Sequence, residues 1–217
     1  NNIFLSIDDS DNEQITFDDG YEITNGVSCS RQCFGIDKGI FWSPKSNYIA
    51  FYNEDLSSVT DYPLVDIITS PATLKNIKYP MAGQSSAIVR IGIYNIKAAS
   101  TIWLNTEGKK NQYLTSVTWG PDEKFIYVAH LNRDQNHLKL VKYNAADGTQ
   151  VKVLFEEKRN KYVEPENPLY FLPKDPSKFI WFSERDGWNH LYLYNTEGEL
   201  QKQLTTGNWV VTKLIGI

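Results

Sequence analysis

Residues 40–52 read IFWSPKSNYIAFY, and the same pattern returns as VTWGPDEKFIYVA at 117–129 and LYFLPKDPSKFIWFS at 169–183. Each copy takes an apolar step, passes a turn of Pro and polar residues, and continues with apolar residues in period two, the signature of paired strands. A second paired element follows each copy: VRIGIYNIKAASTIWL at 89–104, HLKLVKYNAADGTQVKVLF at 137–155 and HLYLYNTEGELQKQL at 190–204. In these, Tyr-Asn closes one strand and a short polar turn opens the next. Asp147-Gly148 and Glu197-Gly198 supply the positive φ that tight hairpins require.

Pro44 and Pro121 are 77 positions apart, and Pro121 and Pro173 are 52 apart. Four strands in about 50 residues is the spacing of propeller blades. A sandwich would also have many short strands, but only stacked equivalent wedges require each hairpin to carry one signature. The expected fold is therefore all-β: a β-propeller fragment of four-stranded antiparallel blades, about three complete and others partial. IFLSIDDSDNEQIT at 3–16 reads as the second half of one further copy, and Asn208-Trp209-Val210-Val211 as the start of another. The whole of 1–217 is expected to belong to one partial propeller domain, as an excised piece. The first copy carries an insertion of about Asn53 to Ala87 that contains Pro63, Pro71 and Pro80 and breaks the alternation. It is too long for an ordinary connection, and such projections reach out to contact something.

Composition narrows the function classes. Aromatic residues make up 13% of the chain, which leans toward strands, and the net charge is −4 with Lys and Arg scattered. No basic stripe marks a nucleic-acid partner. No apolar run approaches the roughly 20 residues of a membrane span, and Asn1-Asn2-Ile3 does not read as a signal peptide. Cys29 and Cys33 read as free thiols. No nearby histidine completes a zinc site with them, so neither a metal nor a cofactor is expected.

Single residues that could carry chemistry also have plainer readings. Gly83-Gln84-Ser85-Ser86-Ala87 superficially resembles a nucleophile elbow, but Tyr79-Pro80 precedes it and no helical pattern follows, so it reads as a loop. Among the three histidines, His130, His137 and His190, the last two occupy the same place in the repeat, which suits a structural role. Asp8, Asp9, Asp11 and Glu13 lack the glycine of a calcium loop and read as a solvated turn. Asp122, Glu123, Glu184 and Asp186 fall in turns, where carboxylates cap backbone amides and stay in water. No residue is identified as catalytic.

Several stretches resemble the N-terminal propeller of the dipeptidyl peptidase IV family: FGIDKGIFWSPKSNYIAFY (34–52), DYPLVDI (61–67), KYPMAGQSSAIVRIGIYNI (78–96), SERDGWNHLYLYN (183–195) and LTTGNWVVTKLIGI (204–217). The resemblance spans essentially the whole chain. It implies a non-catalytic domain that caps the active site of a serine exopeptidase, admits peptides by size and binds their free amino terminus with an acidic loop. A C-terminal α/β-hydrolase domain beyond Ile217 would hold the catalytic Ser, Asp and His. Peptides with Pro or Ala near the amino terminus would be the substrates, and the location would be periplasmic or secreted. The insertion could support a homodimer, as such projections do in relatives.

The loop that matches the family's acidic loop is Ser30-Arg31-Gln32-Cys33-Phe34. Arg31 and Gln32 stand where the acidic pair would be, and Cys33 where related bacterial members carry a single Glu. A second loop, Tyr162-Val163-Glu164-Pro165-Glu166-Asn167, resembles a segment that also reaches toward substrate, with Glu164 as its charge. The resemblance thus assigns Arg31, Gln32, Cys33 and Glu164 to substrate binding, while the missing carboxylates question aminodipeptidase specificity. The alternative from another class is a non-enzymatic propeller resembling that of the TolB family, which binds a protein or ligand.

Overall fold

The computed structural model describes residues 1–6, 12–106 and 111–216, with only the backbone described at Arg31. Asp8, Asp9 and Asp11 lie outside the described residues. Among the described residues there is no α-helix, and no helix is long and apolar enough to cross a membrane. β1 (Phe4–Ser6) and β2 (Asn12–Gln14) form a hairpin, followed by β3 (Ile23–Asn25) and a 3₁₀ turn, Ser30–Gln32. β4 (Ile40–Trp42), β5 (Tyr48–Asp55), β8 (Ile88–Asn95) and β9 (Ser100–Trp103) make the first full antiparallel sheet; β6 (Asp61–Asp66) and β7 (Thr73–Lys78) form a separate hairpin between β5 and β8. One edge of β5 pairs with β4 through Ile49–Phe51 and with β3 through Asn53–Asp55, so two short strands together fill one blade position. The second sheet is β10 (Tyr113–Trp119), β11 (Phe125–Leu131), β12 (His137–Asn144) and β13 (Gln150–Lys158). The third is β14 (Tyr170–Leu172), β15 (Asp175–Ser183), β16 (His190–Asn195) and β17 (Leu200–Gln203).

Strand alternation explains how these sheets stack. In β5, Ala50 and Tyr52 face the second blade and join a core with Ile126, Val128, Val141 and Tyr143. Ile49 and Phe51 point the other way and pack against Ile3, Leu5 and Ile15 around the β1–β2 hairpin. β11 repeats the division: Ile126 and Val128 face the first blade, while Tyr127, Ala129 and Leu131 share a core with Phe179, Trp181, Tyr192 and Tyr194 of the third. Ile180, Phe182 and Leu191 form the far face of the third blade, with Val211 and Leu214 packed on it. Each sheet is thus buried on both faces by its neighbours, as a propeller blade must be. The segment expected to start another strand, Asn208–Val211, makes no ladder among the described residues; Val211 N donates to Asn189 O at 2.8 Å instead.

Polar groups pin neighbouring blades together. Tyr52 donates through its hydroxyl to Leu114 O at 2.8 Å, and Trp119 Nε1 to Phe41 O at 2.9 Å. Glu123, expected to stay in water, is buried in the turn between β10 and β11, where it accepts from Lys45 N and Asn47 Nδ2 of the first blade, both at 2.6 Å. Burial opposes its charge, but hydrogen bonds from Ser43, Asn47 and backbone amides outweigh this and hold its pKa below the ordinary value. Asp122 does cap a turn, accepting from Lys124 N at 3.0 Å, Asp186 accepts from Trp188 N at 3.3 Å, and Glu184 pairs with Arg159 at 3.2 Å. Between the second and third blades, Glu157 of β13 accepts from Trp181 Nε1, Ser183 Oγ and Arg185, each at 2.8 Å. The hairpin glycines belong to the same design. Gly148 and Gly198 have φ of +75° and +84°, and a Cβ on either would stand 2.2 Å from Trp103 O or 2.3 Å from Leu154 O of the preceding blade.

The β6–β7 hairpin, within the segment expected as an insertion, pairs in register from Asp61↔Lys78 to Asp66↔Thr73. Its tip leaves Ile67 and Ile68 exposed at 82% and 93%, and Val65 and Leu74 are also exposed. Because neither of its faces is buried, its sequence has no periodic apolar row to signal a strand.

Candidate functional site

The 3₁₀ turn is held in unfavourable backbone geometry. Ser30, Gln32 and Phe34 have φ of +54°, +62° and +58°, a region that costs non-glycine residues of order 1–3 kcal/mol each unless the surroundings enforce it. Cys29 and Ile36 anchor the two ends of the loop in the core between the first two blades. Its middle is held by β10, which carries a bulge between Thr115 and Thr118. Thr115 donates through its hydroxyl to Phe34 O, while Ser116, itself at φ +52°, donates to Asn167 O at 3.0 Å. Adjacent residues of one bulge therefore bind the 30–34 loop and the 162–167 loop. The loops also touch directly, because a Cβ on Gly35 would lie 2.2 Å from the Glu166 carbonyl oxygen.

Beside the turn opens a cavity of about 700 Å³. Its walls are Ser28–Ser30, Cys33 and Phe34, the end of β5 at Glu54, residues 78–84 after the β6–β7 hairpin, and Gln112, Tyr113 and Arg133 of the second blade. Arg133 donates to Ser86 Oγ at 2.8 Å and lies 5.0 Å from the centre of the Tyr113 ring. Lys78 reaches Asp61 at 3.3 Å and Glu22 at 3.8 Å. Burial raises the Glu54 carboxyl above its ordinary pKa, and burial with a smaller push from the Glu54 charge takes the Cys29 thiol up to about 12. Cys29 is thus an inert thiol, and both cysteines are free.

The description "Dipeptidyl peptidase IV (DPP IV) N-terminal region" belongs to a family model that matches residues 1–217. The chain belongs to this family. A crystal structure described as a putative dipeptidyl aminopeptidase IV from Bacteroides ovatus superposes with a TM-score of 0.91 and 44% identity, over 100% of this chain and 34% of that one. Dipeptidyl peptidase 4 of Porphyromonas gingivalis follows with a TM-score of 0.88 and 27% identity, over 100% and 31%. Among curated proteins, the probable dipeptidyl-aminopeptidase B of Talaromyces marneffei is 27% identical over 97% of this chain and 27% of its own length. The chain spans about a quarter of the curated relatives it matches and about a third of these solved structures.

Within this DPP IV N-terminal region the four residues expected at the site are not all gathered together. Cys33 is exposed and lines the cavity. Arg31 lies inside the 3₁₀ turn, and Gln32 is exposed next to it without lining the cavity. Glu164 is exposed on a cleft with Val163, Pro165 and Trp181, apart from the cavity. Its loop meets the 30–34 loop through Asn167 and Glu166 rather than through its own side chain. The elbow-like Gly83–Ala87 is a turn and loop, and its Ser86 binds Arg133. His137 and His190 each begin the third strand of a blade, as the repeat suggested. His190 is fully buried between Thr205 Oγ1 and Gly207 O, both at 3.0 Å, and His137 pairs with Glu156 at 2.7 Å. Glu54 and Arg133 went unnoticed in the sequence. The period-two row Ala50, Tyr52, Glu54 was the available signal for Glu54, hidden because the insertion was expected to begin at Asn53.

Proposed function

We propose that the chain is the substrate-gating and specificity propeller of a DPP IV-like serine exopeptidase. A following α/β-hydrolase domain would supply the catalytic Ser, Asp and His, and this domain would pass peptides to it and exclude folded proteins. The observation that carries the reading is the strained 30–34 loop, held by the β10 bulge at the rim of an open cavity. Strain of this kind persists only where the surrounding structure enforces it, and it clusters at ligand-binding and active sites. In this reading the turn that carries Arg31, Gln32 and Cys33 meets the peptide's amino end, with Cys33 on the cavity wall, and Glu164 adds charge on the adjoining loop. The β6–β7 hairpin, with its exposed apolar tip, would serve a homodimer, and the intact protein would work in the periplasm or outside the cell.

The loop offers no carboxylate to an ammonium, so its own grip on a free amino terminus should be weak. In the full-length enzyme, Cys33→Glu should lower KM for an Xaa-Pro chromogenic dipeptide by roughly tenfold, the scale of one charge-assisted hydrogen bond at a partly buried site. An unchanged KM would count against a substrate-facing role for this loop.

A further inference from the structure

We infer that the seam between the first two blades ends, beside the β11–β12 turn, in an oxyanion site where Arg133 and Lys139 take the oxygens of a carboxylate or phosphate. The site goes beyond the peptidase reading and does not need it.

Strand alternation gathers the residues. The face of the second blade that packs on the first is apolar at Ile126, Val128, Val141 and Tyr143. The same rows then turn polar, with His130 next on β11 and Lys139 and His137 next on β12, and His130 stands directly opposite Lys139. A cavity of about 120 Å³ opens where the apolar packing stops. Among the described residues its wall consists of Arg133, Lys139, His130, His137 and three side-chain amides, without a carboxylate or an apolar side chain. It adjoins the larger cavity, because Gln112 and Arg133 line both. A ligand pocket for a whole small molecule runs to roughly 300 Å³ or more, so this one suits a single acidic group.

Charge and orientation point the same way. The Arg133 guanidinium is held by Ser86 Oγ at 2.8 Å and by the Tyr113 ring at 5.0 Å, both neutral groups. Among the described residues no carboxylate comes within 4.0 Å of it. Asp134 of the same turn is exposed and does not line the cavity. On the other wall one carboxylate, Glu156, is shared by His137 at 2.7 Å, Lys139 at 3.4 Å and Lys158 at 3.3 Å. Two lysines against one glutamate leave that wall basic too. A planar guanidinium already fixed in place presents its remaining N–H groups as a fork that matches two oxygens, and it loses little freedom when they arrive. Lys139 faces it as a point charge.

The test titrates the full-length protein by calorimetry with inorganic phosphate, with acetyl-Ala-Pro-Gly-Glu-amide and with its Gln counterpart. The caps leave the Glu side chain as the only charge on the peptides. Wild type should bind phosphate, bind the Glu peptide about tenfold tighter than the Gln peptide, or do both. Phosphate binding alone identifies the ligand as a free anion; the peptide preference identifies it as an acidic group carried by a peptide in the larger cavity. Arg133→Gln should weaken whichever ligand binds by about tenfold, and raising the salt should weaken it further. Ser86→Ala keeps the guanidinium and removes only its hydroxyl partner, so binding should change by less than about threefold. Arg133 is exposed, so the variant should keep the wild-type melting temperature. Should it melt early, Lys139→Gln, on a different strand, should weaken the same ligand by about threefold or more. Absence of phosphate binding together with equal binding of the two peptides overturns the site. So does a loss in Ser86→Ala equal to that in Arg133→Gln, which would make Arg133 a latch for the loop before β8. No arm of the test measures cleavage, so the site and the peptidase reading fail separately.

Discussion

At the scale of single residues, burial and not sequence neighbourhood decides what a polar side chain does here. His130 lies in the core between the first two blades, with Gln112 Oε1 at 3.1 Å from Nδ1 and the Tyr143 hydroxyl at 2.8 Å from Nε2. Burial, with a smaller effect from Lys139, pushes its pKa down from 6.5 to about 4, so the folded chain keeps the imidazole neutral. The unfolded chain takes up that proton from about pH 6.5 downward. The stabilisation is therefore complete above that pH and is lost as pH falls toward 4. Between pH 7 and pH 5 the loss should be roughly 2 kcal/mol, and His130→Gln should flatten that part of the curve in urea titrations. A variant with the wild-type slope would mean that another group controls this window. Glu123 teaches the same point from the acid side. Its position in a Pro-Asp-Glu turn suggests solvent, but its carboxylate crosses to the first blade, a contact between residues 76 to 78 apart that no local pattern encodes.

At the scale of elements, the repeat was legible because each copy must solve the same packing problem. Pro44 and Pro121 mark equivalent turns, and Ser46 and Glu123 beyond them share positive φ of +57° and +63°. Gly148 and Gly198 could be read as hairpin turns, but their closeness to the preceding blade could not. Gly148→Ala and Gly198→Ala should each lose about 1–2 kcal/mol from the left-handed backbone and about 1–3 more from the clash with Trp103 O or Leu154 O. Chemical unfolding would measure this, and a loss below about 0.5 kcal/mol would mean that the blades do not abut at these turns. The β6–β7 hairpin escaped sequence reading for the opposite reason: it buries no face. Replacing both Ile67 and Ile68 by Asp should leave stability within about 0.5 kcal/mol, since neither side chain is buried. If the hairpin joins two copies, sedimentation of the full-length protein should shift from dimer to monomer in this variant; an unchanged dimer would assign the contact elsewhere.

At the scale of the whole molecule, three sheets covered on both faces form a wedge series that carries a cavity between its first two members. The sequence shows the series and, through family resemblance, the loop at the rim. It does not show the cavity, because that needs the end of β5, the stretch after β7 and the start of β10 to meet, and such meetings depend on the register of distant strands. The partner of the 30–34 loop was equally hidden, since the β10 bulge that binds it lies some 80 residues away; Thr115 to Phe34 spans 81 positions. The most direct test of the gating role is cleavage by the full-length protein of an Ala-Pro-p-nitroanilide dipeptide, compared with release of an amino-terminal Ala-Pro from a folded protein that carries it. The gating account predicts turnover of the small substrate and almost none of the folded one. Turnover of both at similar kcat/KM, or of neither, would contradict it.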